Sequence, residues 1–271
     1  MSDINAISIG NLWLPKLGFK RFLSAVLLAG LFAGLVLTVV QKIQVTQIIA
    51  QAEVYEEAAA QAALAKPATR AMSAMSTSAA MPEMAGHAHA MPAEEHHHDA
   101  PEWEPANGAE RTFYTVMANV TMAVGFGLLL GAAILLRGGV SGWREGLLWG
   151  LAGYVVFFVA PALGLAPEVP GTQAAPLLDR QIWWISTATC TATALALLVF
   201  GRHWGLKVLA VLLLVLPHII GAPEPQMHGG AAPAELARAF IVATTIANGI
   251  FWLALGGAFG YLTKKLASAN R

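Results

Sequence analysis

Six stretches of the chain, at residues 22–40, 113–136, 146–166, 182–200, 204–222 and 239–262, run for about 20 residues each with almost no charge. A bilayer's hydrocarbon core, about 30 Å thick, needs about 20 apolar residues at about 1.5 Å rise per residue. No water reaches a backbone there, so each N–H and C=O must be satisfied inside the segment, which selects helices. The fifth stretch is the least regular. Lys207 stands near one end, where its ammonium has to snorkel toward the headgroups, and Pro217-His218 interrupts the other. Composition agrees. Charged residues make up 12% of the 271, against about 25% in globular domains. That excludes a disordered chain, a nucleic-acid binder and an ordinary soluble enzyme. The lone cysteine, Cys190, rules out an internal disulfide and a CxxC centre. The expected fold is all-α: one integral-membrane domain over residues 1–271, with six transmembrane helices arranged as three helical hairpins and a long outer loop.

Lys and Arg set the expected orientation. With the N-terminus cytoplasmic, ten fall inside (Lys16, Lys20, Arg21, Arg137, Arg144, Arg202, Lys207, Lys264, Lys265, Arg271) and six outside. Four of the ten sit in two very short loops, where the positive-inside rule counts most. Both termini are therefore expected in the cytoplasm. The first stretch follows Lys16, Lys20 and Arg21, as a signal peptide would, but Gln41-Lys42-Ile43 after it offers no small-residue cleavage site, so it reads as a retained span.

Residues 41–112 then form the one long segment outside the membrane. It opens with a helix-like run, 43–64, and becomes low in complexity, with a metal-binding tract expected at 72–99. The tract holds His87, His89, His96, His97 and His98, five of the eight histidines, beside Glu94, Glu95 and Asp99. Imidazole binds cobalt, nickel, zinc and copper, and carboxylates complete such shells. Neutral imidazole is available near pH 7. A flexible chain that must order around the ion binds it weakly and releases it quickly, which suits capture for import better than storage. Met72, Met75, Met81, Met84 and Met91 lie in the same tract, two pairs of them spaced MxxM. Thioether sulfur prefers Cu(I), so the loop alone leaves copper open.

The third and fifth spans end alike. PALGLAPE at 161–168 and PHIIGAPE at 217–224 share Pro, then Ala-Pro-Glu, in one register, and Ala174-Ala175-Pro176 parallels Ala231-Ala232-Pro233. This reads as a parallel repeat of helix pairs: one with two, three with four, five with six. Pro161 and Pro217 would each free a carbonyl one turn earlier. Those carbonyls, with Glu168, Glu224, Asp179 and Glu235, would make an oxygen-rich mouth. His218 is the one ionisable residue well inside a span. Such a residue is a functional candidate, although one so near the outer end also serves as a packing histidine. Trp183 and Trp184, at the same border, are expected in the aromatic belt. Ser186, Thr189, Cys190 and Thr193 share one helix face and either line an ion path or glue helices together.

No GxxxxGK[ST], GxSxG or HExxH motif is present, so neither P-loop ATP binding nor those hydrolytic chemistries are expected, and no catalytic residue or permanently bound cofactor is assigned. The set RFLSAVLLAGLFAG at 21–34, EWEPANGAERTFYTVMANV at 102–120, GLLWGLAGYVVFFVAPALGLAPEVPG at 146–171, DRQIWW at 179–184 and LPHIIGAPEP at 216–225, in this order, resembles the CbtA family of probable cobalt transporter subunits. The resemblance implies a bacterial inner-membrane protein that supplies cobalt for cobalamin. It also implies a small partner, CbtB, with one span and its own histidine motif. Divalent cobalt uptake is then the expected function. His87, His89, His96, His97, His98 and Asp99 would capture Co²⁺ and pass it to Glu168, Glu224 and His218. Copper or nickel handling, or a non-transporting metal-binding accessory protein, are the alternatives. A homo-oligomer is compatible with all of these.

Overall fold

The computed structural model describes residues 18–76, 105–226 and 229–268. The loop ligands expected at His87, His89, His96, His97, His98 and Asp99 lie outside them. Helix α1, Phe19–Val40, passes through a five-residue π-helical turn, Gln41–Val45, into α2, Thr46–Ser76. Then come α3, Ala109–Leu136, and α4, Trp143–Tyr154. A second π turn, Val155–Val159, leads from α4 into the single turn α5, Ala160–Ala162. The chain closes with α6, Leu177–Phe200, α7, Trp204–Ile220, and α8, Ala234–Ser268. Among the described residues there is no strand, only an isolated antiparallel bridge between Thr172 and Gly230.

Among the described residues, five helices are long and apolar enough to cross a membrane: Phe19–Ala63, Ala109–Leu136, Trp143–Ala162, Leu177–Phe200 and Ala234–Ser268. Helix α7 is as apolar but has 17 residues. It runs antiparallel to α6, because Trp183 near the start of α6 hydrogen-bonds the carbonyl of Pro217 near the end of α7. Helix α3 stops where the sequence offers Gly138 and Gly139, both with positive φ, and the Gly139 N–H turns back to the Ile134 carbonyl at 2.9 Å.

Lipid tails are as apolar as leucine side chains, so membrane helices associate by close packing rather than by escape from water. Small residues decide which helices approach. Gly142, Gly146 and Gly150 at four-residue spacing face Gly256 and Gly260 of α8. A Cβ added at Gly146 would strike the Gly256 carbonyl, and one at Gly256 would strike the Gly146 carbonyl. Likewise Gly30 and Gly34 of α1 lie on the backbone of Val124 and Val120 in α3, with the Cα atoms 3.0 and 2.7 Å from a would-be Cβ. Helix α8 is the hub, packed on both α4 and α1. The buried core comes from α1, α3 and α8, including Phe22, Leu37, Ile134, Phe251, Trp252 and Phe259, with Trp149, Tyr154 and Phe157 packed against it.

Helices α6 and α7 form a separate hairpin that contributes nothing to this core cluster. The hairpin leans on the second π turn and α5, where the Trp184 ring stacks on Phe157 at 6.1 Å. Pairing therefore differs from three successive hairpins. The first and second spans do pack together, as α1 and α3. The fourth packs on the fifth, and the sixth packs on the third and first. The physical reason is surface shape. Helix α7 presents Leu, Val and Ile over most of its length, with glycine only at Gly205, so α8 gains a closer contact against the glycine face of α4.

Candidate functional site

The segments that follow the two Ala-Pro-Glu turns come together. The segment after α5 and the segment after α7 lie antiparallel: the Gln173 N–H bonds the Gly229 carbonyl at 3.2 Å and the Ala231 N–H bonds the Gly171 carbonyl at 3.3 Å. These are nearly equivalent positions of the two related stretches. Gly171 has φ 75, and a Cβ there would lie 3.1 Å from the Glu56 Cβ, so α2 also reaches this rim. The acidic groups are arrayed around it rather than gathered. Glu168 is exposed and pairs with Arg180 at 3.2 Å. Glu224 is exposed on the second turn. Asp179 and Glu235 sit in the first turns of α6 and α8, where the helix dipole favours them. Among the described residues, no three His, Cys, Asp or Glu side chains are close enough to hold a metal ion. Glu168, Glu224 and His218 are thus not a preassembled ligand set.

His218 occupies the last turn of α7, half-buried, with its ring edge-on to Trp183 at 5.9 Å. Trp183 does not belong to an aromatic belt. It is 7% exposed, its Nε1–H donates to the Pro217 carbonyl at 3.3 Å, and a Cβ on Gly164 would collide with its six-membered ring. The absence of a side chain at Gly164 makes room for an indole that would otherwise point to lipid. Trp184 is half-buried, its ring against Phe157. Pro161 follows the second π turn, in which the Ala160 N–H reaches back five residues to Val155. Pro217 remains inside α7, and its own carbonyl accepts both the Trp183 indole and the Gly221 N–H.

The polar face of α6 also differs from expectation. Ser186, Thr189 and Thr193 are exposed and Cys190 is half-buried, and the Thr193 hydroxyl donates to its own helix at the Thr189 carbonyl. This face points away from the bundle. The interior of α6 carries Trp183, Thr187, Thr191 and Ala194 instead.

A second polar site lies at the first π turn. There the Thr46 N–H bonds the Gln41 carbonyl, five residues back. The wider turn points the Gln41 amide inward, where Asn119 Nδ2 donates to its Oε1 at 2.7 Å and to Thr38 Oγ1 at 3.0 Å. Beside it a cleft of about 210 Å³ is lined by Gln41, Lys42, Thr46, Arg111, Thr112 and Thr115, among others. Lys42 Nζ donates to Thr112 Oγ1 at 2.9 Å, and Arg111 forms a bidentate ion pair with Glu53. Two cations make this a poor seat for a metal dication. It clamps the two roots of the segment between α1 and α3, namely α2 and the start of α3. Sequence reading ended the first span at residue 40 and left Gln41 outside it, and only the π turn brings Gln41 to Asn119. Interhelical hydrogen bonds in membranes average about 0.6 kcal/mol, so Asn119→Val is expected to lower stability by about 1 kcal/mol. Unfolding in mixed detergent micelles measures this; an unchanged transition would show that the two bonds do not hold α1 to α3.

Apolar helices that meet through glycine seams, with a polar rim at one end, define a polytopic helical membrane protein. Within that class the chain belongs to the CbtA family, probable cobalt transporter subunit, whose sequence pattern it matches over residues 19–264. No curated protein and no solved structure matches it.

Proposed function

We propose that this chain is the integral-membrane subunit of a cobalt uptake transporter in the bacterial inner membrane. Family membership across residues 19–264 is the observation that carries the reading. In this reading the chain crosses the bilayer six times with both termini in the cytoplasm. The bridge between the segments after α5 and after α7 supports the sixth crossing, because α7 has to return the chain to the end from which α6 departs. His87, His89, His96, His97, His98 and Asp99 capture Co²⁺ outside. The rim of Glu168 and Glu224, and then His218, receives it. A small single-span, histidine-bearing subunit of the CbtB type completes the transporter, in keeping with the family's description as a subunit.

The sequence holds no P-loop, so energy comes from the membrane potential, an ion gradient or another protein. A potential supplies about 2.3 kcal/mol per elementary charge per 100 mV, and a dication draws twice that. Radiolabelled Co²⁺ uptake into proteoliposomes containing the purified chain, with and without an inside-negative potential, tests the reading. Potential-dependent uptake that Ni²⁺ and Cu⁺ compete with poorly is expected. Preferred Cu⁺ or Ni²⁺ uptake would reassign the cargo. Binding without flux, persisting after addition of the partner subunit, would make the protein a metal-binding accessory.

A further inference from the structure

Among the described residues, two buried side-chain polar atoms lack a hydrogen-bond partner: the hydroxyl oxygens of Thr187 and Thr191, on residues 0% and 1% exposed. Native proteins rarely leave such groups unpaired, and each exception calls for an explanation such as water or an ion. The two residues are four apart on α6, so they lie on one line with Trp183 four residues before. They sit about 15 and 21 Å along the helix from Leu177, near the middle of its length. The elements packed on α6 are α7, the second π turn and α5. Proline stands in α7 and in α5, two residues past the end of the π turn. Pro161 returns no N–H to the π turn before it, and Pro217 returns none to Leu213 one turn earlier on α7. Hydroxyls without partners and carbonyls without in-helix donors thus belong to the same three packed elements. Above them stands Trp183, edge-on to His218 and beneath the rim bearing Glu56, Glu168 and Glu224.

We infer that the Trp183–Thr187–Thr191 face of α6 is a passage for a hydrated cation between α6, α7 and the second π turn, closed in this structure by the Trp183 indole. For the identity of the ion the inference rests on the transport reading above. The acidic rim concentrates cations at the entrance. Neutral hydroxyl and carbonyl oxygens below replace part of a hydration shell without holding a dication too tightly to leave. The Trp183 bond to the Pro217 carbonyl is the latch.

Thiol reactivity reads this directly, because only a thiolate in contact with water attacks a thiosulfonate, and a thiol in apolar surroundings is inert. In a Cys190→Ala background, Thr187→Cys, Thr191→Cys and Ser186→Cys are each reconstituted and exposed to a small, positively charged methanethiosulfonate from the rim side. Thr187→Cys and Thr191→Cys are expected to react, the former faster, and both faster than with a negatively charged reagent. Ser186→Cys, on the outward face, is expected to stay unmodified. Trp183→Phe keeps the ring but loses the latch, and should speed both reactions several-fold. Glu224→Cys on the rim controls for a folded, accessible protein. Failure at 187 and 191 in both Trp183 backgrounds while Glu224→Cys reacts would overturn the passage. So would reaction at 187 alone, reaction at Ser186→Cys in place of the other two, or equal rates with reagents of either charge. Labelling does not depend on which ion is carried. Labelling without Co²⁺ flux, even with the partner subunit added, therefore removes the transport reading and keeps the passage, and flux without labelling does the reverse.

Discussion

Gly256→Leu is expected to leave almost no folded protein in the membrane. At this position α4 and α8 touch backbone to backbone: the place of a Cβ is taken by the Gly146 carbonyl, with the Gly150 Cα 2.7 Å away. A backbone cannot step aside as the far end of a side chain does. Overpacking a core usually costs about 1–3 kcal/mol, and a branched side chain set against a carbonyl and a Cα exceeds that range. The loss spreads, because α8 is also the partner of α1 and carries Phe251, Trp252 and Phe259 into the shared core. Gly125→Ala is the matched control. A Cβ at Gly125 meets nothing within 4 Å, and alanine is the better helix former by about 1 kcal/mol. Monodisperse yield in mild detergent separates the two variants. A Gly256→Leu protein that elutes and unfolds like the parent would show that the glycine seam does not hold the bundle together.

The second large effect is on transport. Replacing His87, His89, His96, His97 and His98 together by asparagine should raise the half-saturation concentration for Co²⁺ by about tenfold, a loss of about 1.4 kcal/mol in capture. Maximal rate should fall much less. The asymmetry follows from the division of labour proposed here. A loop that concentrates the ion determines how often the rim is loaded at scarce metal, whereas passage through the helices governs the rate once metal is plentiful. Imidazole ligands on a flexible chain suit the first task, because the ordering cost keeps binding loose and exchange fast. Uptake that is unchanged at limiting metal would dismiss the loop as a capture device. A fall in maximal rate with unchanged half-saturation would move the histidines into the pathway itself.

Much of the architecture was legible because hydropathy alone marks a span. The stretches at 22–40, 113–136 and 182–200 lie inside α1, α3 and α6, whose ends extend a turn or so further into polar residues such as Lys20, Glu110 and Asp179. The stretch at 239–262 widens into the 35 residues of α8, since a helix need not stop where the hydrocarbon does. Helix pairing was not legible from hydropathy, which says nothing about shape. The readable signal was the spacing Gly142, Gly146, Gly150 against Gly256, Gly260. Nor did sequence position tell a buried Trp183 from an interfacial one. That depends on the gap at Gly164, 19 residues away in sequence. The polar face of α6 failed for a similar reason. Periodicity grouped Ser186, Thr189, Cys190 and Thr193 correctly, but which face turns inward was decided by Trp183 and its bond to Pro217.

The brevity of α7 has a consequence for the lipid around it. Seventeen residues make a rod of about 25 Å, some 5 Å short of an average hydrocarbon core. In the six-crossing reading proposed above, the bilayer meets this difference by thinning locally, at a cost of fractions of a kcal/mol per ångström. The α6–α7 hairpin stands outside the glycine-bound core and takes that strain on one side only. In that reading acyl chain length is a force acting on the hairpin that bears the unpartnered hydroxyls of Thr187 and Thr191, and a thicker membrane pulls harder on it than a thin one.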